Sequence, residues 1–151
     1  MSPALQAQFS VCDQIFAQCD IDYQLVAAAD INADFFADYS NIRILNSFLF
    51  NFSKLQDKIG AKLLKKVLYE LKEIDTYAVP MLDVLHLLEK LEIIDEVTVW
   101  DELREVRNAI AHDYPVEISE RIAAIQLIRD SYPTLKAIYR RLHTRIKSST
   151  M

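Results

Sequence analysis

Ser40–Ile74 reads SNIRILNSFLFNFSKLQDKIGAKLLKKVLYELKEI. Within it Leu45, Phe48, Phe52, Leu55, Ile59, Leu63, Val67 and Leu71 recur every three or four residues. That spacing lays apolar side chains along one face of a helix. Ser40 offers an N-cap, so the pattern predicts one long helix from Ser40 to about Ile74. Gly60 lies inside it and is the only glycine of the chain. One glycine costs a helix about 1 kcal/mol against alanine, so the helix is expected to survive and Gly60 to mark a bend or a close helix contact. Lys62, Lys65 and Lys66 follow, readable as a solvated face or as a patch for phosphate.

The flanking sequence repeats the pattern. On the N-terminal side, Leu5, Phe9, Cys12, Phe16, Cys19, Tyr23 and Val26 predict a helix over about 5–28, and residues 30–39 a connection with a short helical turn. On the C-terminal side, 75–79 is a turn and Pro80 opens a helix carrying Met81, Val84, Leu85, Leu88 and Leu91. His86 falls off that stripe. Residues 92–97 are a loop. Thr98 with Asp101 resembles a capping box, Asp standing in for Glu, ahead of a helix from Val99 to about Asp113. The last helix begins after Pro115, with Ile118, Ile122, Ile125, Ile128, Tyr132, Leu135, Ile138 and Leu142 as its stripe. Pro133 is expected to kink or split it. One helical domain spanning 1–151 follows, an antiparallel four- to five-helix bundle of all-α class.

Composition agrees. With 52% hydrophobic and 26% charged residues, the chain suits a folded, soluble protein, and its 151 residues suit one core. The net charge of -5 argues against a generic nucleic-acid coat but leaves room for a local basic cleft. No apolar run long enough for a membrane span and no basic-then-apolar leader are seen, so a cytoplasmic location is expected. Cys12 and Cys19, about 10.5 Å apart along a helix, are too distant to bridge within it and are read as core residues.

Most of the chemistry gathers in Arg107-Asn108-Ala109-Ile110-Ala111-His112-Asp113-Tyr114-Pro115. Pro115 disfavours helical geometry at Tyr114, so His112 is expected in a last helical turn, where the helix dipole favours its protonated form. That suits general acid/base work near neutral pH. Arg107 offers a planar fork of donors for a phosphate, and Asn108 a neutral donor and acceptor. Without clustered carboxylates or cysteines, this set points to metal-free and cofactor-free phosphodiester chemistry, with a ribose 2′-hydroxyl as nucleophile. Arg107 and His112 diverge by about 140° on a regular helix, so a site composed across a two-fold homodimer reconciles spacing with joint chemistry. Arg104, on the outward arc between them, and Arg140 and Arg141, in the basic C-terminal cluster with His143, Arg145 and Lys147, are candidates for RNA contact. With eight arginines and three histidines, an Arg-x4-His arises by chance in roughly one such chain in six, so the bare spacing carries little.

The longer pattern, Arg107-Asn108-x3-His112-x-Tyr114, resembles the R-N-x-x-x-H-x-Y signature of the HEPN superfamily, and more narrowly the HepT-like toxins of HEPN/MNT toxin–antitoxin pairs. The order of the helices resembles the same bundle. The resemblance implies a homodimeric, metal-independent endoribonuclease acting on RNA of the translation machinery, tRNA above all. It implies Arg107 and His112 as the catalytic pair and Asn108 as a supporting polar group. It also implies a partner, an MNT-type nucleotidyltransferase antitoxin that transfers AMP from ATP to Tyr114. A bulky anion two residues from His112 would block and repel an RNA phosphate. The alternatives are a non-catalytic HEPN substrate-binding or scaffold module paired with a nucleotidyltransferase, and a plain helical interaction protein.

Overall fold

The computed structural model describes residues 1–111 and 117–149. Every regular element among them is helical. Helix α1 (Pro3–Ala28) starts at Ser2, whose hydroxyl accepts from the Leu5 amide, with Pro3 in the first turn, where a missing N–H costs nothing. The Ser2 hydroxyl also donates to Glu70, tying the chain start to the end of α4. Asn32 caps the short α2 (Ala33–Ala37). Then follow α3 (Tyr39–Lys58), a π-helical turn (Ile59–Leu63), α4 (Leu64–Glu70), α5 (Met81–Lys90), α6 (Val97–Ala111) and α7 (Ile118–Ser149).

The long helix expected over 40–74 is therefore α3, the π turn and α4 in succession. Its N-cap is Asp38 and not Ser40: the Asp38 carboxylate accepts from the Ser40 amide at 2.9 Å. Ionised oxygen is the better acceptor at a helix N-terminus. Within the π turn the Leu64 amide bonds Ile59 O, five residues back. The helix stops at Glu70, earlier than expected, because Lys72 adopts a left-handed φ of 62°. The Glu73 amide then turns back to Leu68 O at 2.9 Å, closing the helix end without glycine.

Two other expectations are corrected. Helix α6 begins at Val97, so Thr98 lies inside the helix and forms no capping box; its hydroxyl donates to Glu96. Pro133 does not split α7, which runs unbroken from Ile118 to Ser149. The expected helix end near Asp113 lies outside the described residues.

Helices α1 and α7 are antiparallel, and a pair of buried tyrosines sets their register. The Tyr139 hydroxyl donates to Asp13 at 2.6 Å, and the Tyr132 hydroxyl to Asp20 at 2.6 Å: seven residues forward on one helix, seven back on the other. Lys136 donates to the second oxygen of Asp20, also at 2.6 Å. Around these links Phe9, Phe16, Tyr23, Phe48 and Phe52 pack ring against ring with Tyr132 and Tyr139. Burial against this cluster holds both tyrosine hydroxyls well above their ordinary pKa, reinforced by the bonded carboxylates. Cys12 and Cys19 are free and buried in the same core, their thiols pushed up by burial to about 11 and about 12. The architecture is an all-α bundle. Among the described residues no helix is long and apolar enough to cross a membrane.

Candidate functional site

Helix α6 carries Arg107 and packs on the α3–π segment, and two of its contacts there bear on the site. Trp100 is 1% exposed and lays its indole against Gly60. A Cβ at Gly60 would sit 2.8 Å from Trp100 Cζ2, so the missing side chain lets the indole approach this closely and a larger residue would force a shift. Two turns along the same face of α6, Arg107 reaches Asp57 on the last turn of α3. Its Nε donates to Asp57 Oδ1 at 2.7 Å and its Nη2 to Oδ2 at 2.9 Å, a parallel two-pronged pair. These bonds raise the arginine pKa above its ordinary value, so the charge is permanent.

Exposure decides what the pair can do. The Arg107 side chain is 29% exposed and that of Asp57 53%, so water reaches both. Pairs of this kind contribute about 0–1 kcal/mol to stability. Asp57 thus holds the guanidinium plane in one orientation while leaving the pair weak enough for an incoming anion to compete for the fork. No local spacing in the sequence announces Asp57, which stands fifty residues before Arg107.

The remaining site candidates separate. Asn108 follows Arg107 and is exposed. Arg104 is exposed and engages Asp101 at 3.1 Å one turn away on α6. His112 and Tyr114 lie outside the described residues. Arg141 donates to Asp95 at 3.2 Å, just ahead of α6. Asp95 lies two residues before α6, and Arg107 ten residues beyond its first residue, Val97, so Arg141 stands near the far end of α6, roughly 15 Å along the helix from Arg107. Arg140, Arg141 and Arg145 line a separate cleft of ≈ 730 Å³ there, together with Glu73 and Glu92. His143 leaves the basic cluster: its ring stacks on Phe9 at 4.2 Å, and burial lowers its pKa. Among the described residues no group of three His, Cys, Asp or Glu side chains is arranged to hold a metal ion.

Chemically, the described residues offer one oriented guanidinium and the exposed amide next to it in sequence, with the paired carboxylate of Asp57 on the wall of a groove. That groove, ≈ 380 Å³, runs between α1 and the π turn, and Asp57 and Lys58 line it. Such a set can grip a phosphate and stabilise added negative charge on it. No family model, curated protein or solved structure matches the chain.

Proposed function

We propose that the protein is a metal-independent endoribonuclease of HEPN type, the toxin of a type VII-like toxin–antitoxin pair, acting on RNA and first of all on tRNA. The observation that carries this reading is the Arg107 fork, oriented by Asp57 on two hydrogen bonds and open to solvent within the Arg-Asn-x3-His-x-Tyr motif. In the proposed reaction His112 takes the proton of a ribose 2′-hydroxyl. The 2′-oxygen attacks the adjacent phosphorus and the 5′-oxygen leaves, taking a proton in turn. Arg107 carries the charge that develops on the non-bridging oxygens. The products are a 2′,3′-cyclic phosphate and a 5′-hydroxyl end, so atoms balance without water, metal or cofactor.

A regular helix would set Arg107 and His112 about 140° apart, so the reading takes as its working unit a homodimer that brings both motifs to one cleft. A nucleotidyltransferase antitoxin silences it by adding AMP to Tyr114. Arg107→Ala tests the reading: tRNA cleavage in EDTA should drop by at least a hundredfold while unfolding stability moves by less than about 1 kcal/mol. Intact mass of protein co-produced with a nucleotidyltransferase should show AMP additions that Tyr114→Phe abolishes. Unchanged cleavage by Arg107→Ala would refute the assignment.

A further inference from the structure

The groove that opens at Asp57 does not end there. A second hollow of ≈ 330 Å³ shares Gln8, Ala61 and Lys62 with the first, so the two form one channel along the π turn and α4. Lys58, Lys62, Lys65 and Lys66 border it. The spacing, four residues and then three and four more, repeats at helical period and keeps these ammonium groups on one side of the helix. Asp57 is the one carboxylate among the channel's described lining residues, and Arg107 already neutralises it. In a chain of net charge -5, this is a locally positive channel.

Its far end is aromatic. Tyr77 lines the second hollow, and its ring stacks on Tyr69 at 4.9 Å with 22° between planes. The two tyrosine residues are 48% and 44% exposed, so the stack stands at the surface. Lys65 Nζ donates to Tyr77 O at 3.0 Å, which holds the tyrosine's loop to the lysine row. Asp57 and Tyr69 are twelve residues apart, roughly 18 Å at helical rise.

We propose that this channel is a track for single-stranded RNA, with backbone phosphates on Lys58, Lys62 and Lys66, a base on the Tyr69–Tyr77 stack, and the strand led to Arg107. A cationic groove alone would fit an acidic polypeptide as well. The exposed aromatic stack at its end favours a ligand that alternates phosphates with planar bases. The proposal rests on the ribonuclease reading for its direction, but its test does not require cleavage.

The probe is a short fluorescent single-stranded RNA, fully 2′-O-methylated so that it cannot be cut, read by anisotropy across a salt series. The variant K58Q/K62Q/K66Q should weaken binding at least tenfold and flatten the log–log salt slope by about 2, at ~0.7 for each phosphate no longer neutralised. A charge-matched set elsewhere, R43Q/K90Q/R129Q, should change the slope by less than half as much. Tyr77→Ala should weaken binding about fivefold or more, and Tyr77→Phe should restore it. Circular dichroism and urea unfolding of each variant exclude misfolding as the cause. Equal losses from the two charge sets, or displacement by polyglutamate as effective as by unlabelled RNA, overturn the track. Groove-dependent binding without cleavage of ordinary RNA sinks the nuclease reading alone. Cleavage with binding unaffected by K58Q/K62Q/K66Q sinks the track alone.

Discussion

Gly60→Ala separates two opposing physical effects at the contact that seats α6. Helix propensity alone predicts about 1 kcal/mol of stabilisation, since alanine replaces glycine within a helical segment. The geometry predicts the reverse. The new Cβ would lie 2.8 Å from Trp100 Cζ2, 3.6 Å from Cε2 and 3.8 Å from Cη2. Carbon pairs rest at about 3.5–4.0 Å, so the indole must retreat by roughly 0.7 Å or more. Trp100 is 1% exposed and has little room to retreat into. Overpacking of this kind costs about 1–3 kcal/mol. The net expectation lies between neutral and about 2 kcal/mol of destabilisation, a fall in Tm of up to roughly 8 °C for a chain of this size. Urea unfolding of wild type, Gly60→Ala, Trp100→Phe and the double variant forms the cycle. Trp100→Phe removes the ring carrying Cζ2, so Gly60→Ala should become neutral or stabilising in that background, with a coupling of about 1–3 kcal/mol. A gain of about 1 kcal/mol in the wild-type background, or the same effect in both backgrounds, would refute the close approach. Because Arg107 rides on the same face of α6, displacement of the helix should also disturb its bond to Asp57.

Three further outcomes follow. Tyr132→Phe removes a buried hydroxyl bonded to Asp20 and should cost about 1.5–3 kcal/mol by urea unfolding, with Lys136 still holding the carboxylate. His143 has its pKa lowered by burial against Phe9, so its neutral form is favoured in the folded state. That contribution is present above the ordinary histidine pKa of about 6.5 and is lost as pH falls through the lower folded value; the urea midpoint should therefore fall on acidification, and less steeply in His143→Phe. In the composite-dimer reading, Arg107→Ala and His112→Ala proteins are each inactive, but mixing them after subunit exchange should restore part of the activity. A site built from one chain's motif would give none.

The helical class was legible because stripes such as Leu45–Leu71 and Ile118–Leu142 persist over many turns, and a long period survives local error. Ends were harder. Asp38 and Ser40 are both good caps two residues apart, and only the folded chain shows which carboxylate or hydroxyl meets the free amides. The end at Lys72 carries no glycine, so nothing local marked the left-handed residue. Gly60 was legible as the mark of a bend or of a close helix contact; which of the two holds, and that the partner is Trp100, forty residues on, is decided by packing. The same holds at the candidate site. Arg107 stands out by its neighbours in sequence, whereas Asp57 becomes visible only when α3 and α6 are laid side by side. The Lys62, Lys65 and Lys66 row was read as two-sided. The channel beside it, and Lys58 at the channel's near end, emerge from the placement of α1 against the π turn.

The most direct measurement of the central claim is incubation of unmodified protein with total tRNA in EDTA, with His112→Ala as control and the product ends analysed. The account predicts cut tRNA bearing 2′,3′-cyclic phosphate and 5′-hydroxyl ends, with His112→Ala losing the activity. Intact tRNA with the wild-type protein, or equal cutting by His112→Ala, contradicts it.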